Sequence, residues 1–246
     1  MSEKHHLPRI AGVNALLIIF LILASAGIAK SQTSFMGWAA TFQNYKINKQ
    51  LGIYFDAQWR STARVQQMNA LLLRPGVNFY LSPAFTATVG YAFIPQQRIF
   101  SGVTGYLPEH RVWEQLVFTH KVKPVHATVS HRLRHEHRII PRYHAEGNEL
   151  VKDGQRYAGR VRYFTRGVVP MSRDKDKGPF VALQNEIFFH TADGGSFDQN
   201  RAYFAAGYRV SKQFDVEMGY LNQYIANAGG GSANNHILQV ATYVRL

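Results

Sequence analysis

At 246 residues the chain is long enough for one large or two small domains, and closed all-β folds of this length are commonly one. Lysine and arginine outnumber aspartate and glutamate by 28 to 15, which suits nucleic acid, an anionic membrane surface or an acidic ligand and does not discriminate among folds. With no cysteine, a disulfide framework, a thiolate metal site and a cysteine nucleophile are all excluded.

Residues 1–31 have the order of a secretory signal peptide: basic Lys4 and Arg9, an apolar run from Ala15 to Leu23, then small residues at Ala24, Ser25, Ala26, Gly27 and Ala29. Cleavage is expected between Ala26 and Gln32. The rival is an uncleaved anchor, because Ile10 to Ala29 approaches the roughly 20 residues a spanning helix needs. Asn14, the short apolar core and the small-residue exit favour cleavage. No later apolar run is long enough for a transmembrane helix, so further membrane contact would have to be through strands.

Residues 32–246 repeat one rhythm, about ten residues of alternating character and then a turn. Strands are predicted near 37–46, 50–60, 68–81, 85–93, 111–121, 125–139, 157–168, 180–190, 201–210, 214–224 and 236–246, with no competing helical period. The faces separate: Leu51, Ile53, Phe55, Ala57 and Trp59 oppose Tyr54, Asp56, Gln58 and Arg60. Phe214, Val216, Met218 and Tyr220 oppose Asp215 and Glu217, and Leu238, Val240, Thr242 and Val244 oppose Gln239, Tyr243 and Arg245. Either a soluble sheet with its apolar face inward or a membrane barrel with its apolar face toward lipid produces this pattern. Short connections such as "INK", "SP", "KP" and "SKQ" alternate with apparent long loops at 94–110, 141–156, 191–200 and 225–235. Short turns at one end and long loops at the other favour the antiparallel transmembrane β-barrel. Trp38, Trp59, Tyr91, Tyr208 and Tyr224 would supply interfacial aromatic girdles. Eleven strands are counted, but bacterial single-chain barrels usually have an even number, so the expectation is about 10–12.

The segment "VSHRLRHEHRII" places Arg132, Arg134, Glu136 and Arg138 on alternate positions, hence on one face of a strand. In a membrane barrel that face is the lumen. Arg74, Arg160, Arg162, Arg166, Glu186, Arg201, Arg209, Asp215 and Glu217 read inward by the same alternation, giving a basic, partly paired polar interior. Paired, these groups make a hydrogen-bonded plug; unpaired, they give a positive potential that draws small anionic solutes. A barrel of this size is expected to have a narrow or closed lumen.

The segments "HRVWEQLVFTHKV", "VSHRLRHEHRI", "VALQNEIFFHTADGGSFDQNRAYFAAGYRVSKQFDVEMGYLNQY" and "NHILQVATYVRL" resemble, in order and spacing, the outer-membrane proteins grouped as domain of unknown function 2490. The R-x-R-x-E-x-R strand and the "FDQNR…GYRVSK" hairpin are the most telling pieces. The resemblance implies a Gram-negative secreted β-barrel and supplies no activity.

Other chemistries find little purchase. His131 and His135 are four strand residues, about 13 Å, apart and cannot share an ion, whereas His135 and His137 can. Histidines near a barrel rim are the simpler account, and no metal or cofactor is expected. No G-x-S-x-G or H-E-x-x-H occurs, so no catalytic residue is assigned. The "GGGS" at 229–232 lacks a strand-to-helix context and reads as an external loop. Basic residues spread through alternating strands behind an export signal oppose nucleic-acid binding. The expectation is a Gram-negative outer-membrane barrel, reached through the periplasm, with outer-membrane lipid as its partner. It would be a narrow channel or binding site for small anionic solutes, or purely structural. The alternatives are an outer-membrane hydrolase and a secreted soluble ligand-binding β-barrel.

Overall fold

The structure, a computed structural model, describes residues 31–246 apart from 175, 192, 193, 228 and 229. The predicted signal peptide therefore lies, except for Ser31, outside the described residues. The chain from Ser31 onward forms a closed barrel of eleven strands: β1 (Ser31–Lys46), β2 (Leu51–Ser61), β3 (Met68–Tyr80), β4 (Phe85–Phe100), β5 (Val103–Val122), β6 (Ala127–Glu146), β7 (Glu149–Pro170), β8 (Gly178–His190), β9 (Phe197–Arg209), β10 (Phe214–Ala226) and β11 (Ser232–Arg245). Short 3₁₀ turns at Ala63–Val65 and Lys123–Val125 are its helical elements among the described residues.

Consecutive strands pair antiparallel all the way round, and an odd count leaves the first and last strands pointing the same way. Closure is therefore parallel, with β1 against β11 from Ser31↔Ser232 to Asn44↔Arg245. At the C-terminal end of the seam the Lys46 N–H donates to the Leu246 carbonyl and the Leu246 N–H to the Asn44 carbonyl. The seam satisfies backbone groups that two edge strands would otherwise expose.

Two predicted long loops are strand. Residues 94–110 extend β4 and β5 into one hairpin, paired out to Phe100↔Val103 around Ser101-Gly102, both at positive φ as a type I′ turn requires. Residues 141–156 likewise extend β6 and β7 to Glu146↔Glu149, with Gly147 at positive φ. Polar composition suggests loop, but two such segments facing each other in register complete their own ladder.

The wall is inverted relative to a soluble barrel. Outward positions carry Ile53, Val77, Val89, Leu133, Leu183, Phe204, Met218 and Leu238, all exposed, while the alternate positions bury arginines and carboxylates. Aromatic rings fill part of the interior. Trp113 is fully buried and lies across Gly90 of the adjacent strand, where a β-carbon would stand 2.2 Å from the indole. Trp38, read from sequence as a girdle residue, also points inward and is buried, because the inward set of β1 falls on its even-numbered positions.

Candidate functional site

Register decides which charges meet inside. Arg134 of β6 lies directly opposite Arg162 of β7, a like-charge juxtaposition that destabilises a sheet unless diagonal partners intervene. They do. Arg162 donates from Nη1 to Glu136 at 2.5 Å and from Nη2 to Glu186 at 2.7 Å. Glu136 also accepts from Arg160 Nη2 at 2.7 Å and from Arg111 Nη1 at 3.2 Å. Glu186 accepts from Arg132 Nη2 at 2.7 Å. Glu109 joins Arg111 to Arg138 at 2.8 and 2.6 Å, and Asp198 accepts from Arg160 Nη1 at 3.1 Å. Strands β5 to β9 are thus laced by one continuous chain of alternating charge.

Three smaller clusters stand around the rest of the wall. Asp56 accepts from Arg74 at 2.7 Å and from the Tyr54 hydroxyl at 2.6 Å. Glu217 accepts from Arg166 at 2.5 Å and from the hydroxyls of Tyr243 and Tyr203 at 2.8 and 3.2 Å. Asp215 holds Arg209 at 3.1 Å and Arg245 at 2.9 Å near the end that carries the C-terminus. These charge-assisted bonds satisfy groups that burial would otherwise penalise heavily.

Three interior guanidiniums make no ion pair with a carboxylate among the described residues, although one of them, Arg201, stands opposite Glu186 in register. Arg134 donates from Nε and Nη2 to Gln115 Oε1 and stacks over Trp113 at 4.3 Å. Arg60 donates to Gln58 Oε1 at 2.7 Å and lies 4.0 Å from the Trp38 ring. Arg201 donates to Gln199 at 3.3 Å and sits over Phe188 at 4.7 Å and Trp38 at 5.1 Å. The buried Nε–H groups of Arg60 and Arg201 find no acceptor among the described residues.

The interior space is divided at this point. A cavity of about 620 Å³ reaches the end marked by Lys46, Tyr80, Arg245 and Leu246. A second, of about 350 Å³, reaches the opposite end, marked by Asn69, Gln96, Arg98 and Asn235. Both are lined by Trp38, Arg60, Arg74, Arg162 and Arg201, which stand between them as a partition of side chains. One indole and four guanidiniums separate the two vestibules.

All thirteen interior positions expected from alternation, Arg74, Arg132, Arg134, Glu136, Arg138, Arg160, Arg162, Arg166, Glu186, Arg201, Arg209, Asp215 and Glu217, take part in the contacts just described. Sequence reasoning passes over Arg60, Glu109, Arg111 and Asp198 as site residues. Glu109 and Asp198 fall within segments that read as loops, and Arg111 stands at the first position of a predicted strand. Arg60 shares the polar face of β2 with Asp56, and that signal suffices to include both.

The family described as protein of unknown function, DUF2490, matches residues 35–235. An uncharacterised protein of Methylorubrum extorquens is 26% identical over 199 residues, covering 78% of this chain and 80% of that relative. No solved structure matches. With the family match running from the first strand into the last, this eleven-stranded barrel belongs to the DUF2490 family.

Proposed function

We propose that the protein sits in the outer membrane of a Gram-negative bacterium, its apolar wall against lipid, and that its partitioned basic interior binds small anionic solutes. The reading involves no catalysis and no cofactor. The membrane part is supported by the inverted wall: apolar side chains exposed on all sides around a charged interior are costly in water and favourable in a bilayer.

The binding part rests on one observation, the pair Arg60 and Arg201 in the partition, flanking Trp38, each with a buried Nε–H and neither in an ion pair with a carboxylate among the described residues, although Arg201 stands opposite Glu186 in register. A guanidinium in that condition offers fixed donors to a planar carboxylate or to phosphate, and its charge is weakly screened by the surrounding wall. The other arginines are largely engaged by carboxylates and serve to hold the wall in register. The reading is therefore a vestibule with a closed floor rather than an open pore.

Calorimetric titration of the refolded full chain with citrate and with inorganic phosphate tests this. Saturable binding is expected for at least one of them, weakening as sodium chloride is raised and falling by more than about tenfold in Arg60→Gln and Arg201→Gln, a loss of about 1.4 kcal/mol or more. Absence of binding, or binding that both variants leave unchanged, would overturn the assignment.

A further inference from the structure

The outer wall carries a second cluster, unrelated to the lumen. Glu114 on β5 faces outward, directly opposite His135 on β6, and His137 comes two residues along on the same face. Glu114 Oε1 lies 2.8 Å from His135 Nδ1 and 3.3 Å from His137 Nε2, and the three ligand atoms all fall within 4.8 Å of one another. All three side chains remain partly open to the exterior, at 46%, 33% and 57% exposure.

The setting is anomalous for a carboxylate. Val112 and Leu116 flank Glu114 along its own strand, Val89 lies opposite it on β4, and Leu133 precedes His135 on the same face; all four are exposed apolar side chains. Among the described residues, the other carboxylates face the interior or sit at turns and hairpin tips, so Glu114 is the one on the apolar outer wall between the rims. Three other outward histidines pair with neutral groups, His110 with the Tyr91 hydroxyl, His236 with that of Tyr220, and His131 with that of Tyr163, while His144 in the β6–β7 hairpin meets Glu146 and Asp153. A lone anion on an apolar wall needs a counter-charge.

We propose that Glu114, His135 and His137 form a surface site for a borderline divalent cation of the zinc class. Two imidazole nitrogens and one carboxylate oxygen are the donors such an ion takes, at about 2.0–2.2 Å. A tetrahedron with those bond lengths has edges of about 3.4 Å, within the 2.8 to 4.8 Å range the three atoms span. Strand geometry explains the fit, because alternate residues of one strand share a face and the cross-strand partner stands about 5 Å away. Three protein ligands leave a fourth position for water or for an external oxygen donor. The bound ion offsets the charge of Glu114, leaves one positive charge for an anionic oxygen donor at the fourth position to cancel, and clamps β5 to β6.

The alternative is that the histidines hydrogen-bond the carboxylate and hold no ion. Carbethoxylation of the refolded full chain in detergent, mapped by mass spectrometry with and without Zn²⁺, separates the two. Zn²⁺ is expected to protect His135 and His137 while the exposed turn residue His126 stays reactive. Glu114→Gln should weaken the Zn²⁺ that confers protection by more than about tenfold, the loss that even an outer-shell partner produces. His144→Asn, at a distant hairpin, should leave protection intact. Equal modification of His135 and His137 with and without Zn²⁺ in the unaltered chain would overturn the site, as would protection that survives Glu114→Gln.

Discussion

Glu136 shows what a single side chain does in this interior. It is almost wholly buried and accepts from three guanidiniums, those of Arg111, Arg160 and Arg162, so its charge is matched several times over. Replacing it by glutamine keeps the shape and removes the charge, leaving those arginines to repel one another at short range. Removal of one partner from a buried ion pair costs on the order of 3–5 kcal/mol, far more than the net worth of the pair against an apolar substitute. Glu136→Gln is therefore expected to lower the unfolding midpoint in chemical denaturant by an amount corresponding to that range. By contrast Lys212, paired to Asp176 at 3.1 Å on the surface, is expected to change stability by no more than about 1 kcal/mol when replaced by alanine. Matched shifts for the two variants in the same titration would show that the interior network is solvated rather than buried.

The strand is the scale at which inside and outside separate. Gln239 and Val240 are neighbours on β11, yet Gln239 lines the larger cavity and Val240 faces out between Leu238 and Thr242. With the wall in a bilayer, as proposed, an arginine at the outward position would meet lipid, at a cost of about 2–4 kcal/mol near mid-bilayer. An arginine at Gln239 would enter a space already lined by arginines and glutamates. Val240→Arg should sharply reduce the heat-modifiable, folded species recovered from the membrane fraction, and Gln239→Arg should leave most of it. Equal recovery of the two variants would mean that lipid does not face Val240. The β4–β5 and β6–β7 hairpins behave as further units of this scale, since each continues as a self-paired ribbon to a two-residue turn.

For the whole molecule, the decisive feature is that two cavities, one reaching each end of the barrel, share five lining residues. Trp38, Arg60, Arg74, Arg162 and Arg201 border both cavities, and three of these are locked: Arg74 on Asp56, Arg162 on two glutamates, and Trp38 under Arg60 and Arg201. The unaltered protein should show no steady conductance in planar bilayers. Trp38→Ala removes the largest uncharged element of the partition while leaving the guanidiniums in place. That variant is expected to conduct with anion preference, because the exposed guanidinium groups set the sign of the field in a narrow passage. A steady conductance from the unaltered chain would show that the partition does not close the lumen.

Alternation of side chains made much of this legible in the amino-acid sequence alone. A period of two allots residues to faces before any partner is known, so the eleven strands, the opposition of Phe214 and Met218 to Asp215 and Glu217, and the shared face of Arg132, Arg134, Glu136 and Arg138 follow locally. Residue type alone misjudges Trp38, whose aromatic character suggests a girdle although its position in β1 is inward. It also reads 94–110 and 141–156 as loops, because a polar segment pairs only if another in register faces it. Closure lies further out of reach. An odd count looks like an error when strands are considered one after another; the parallel β1–β11 seam resolves it through contacts between residues about 200 positions apart, by the register of the seam pairs. Pairing of the charges is decided at the same level. Which carboxylate an arginine meets depends on neighbouring-strand register and on diagonal reach across the lumen, as with Arg166 of β7 and Glu217 of β10, and that information is absent from any one strand.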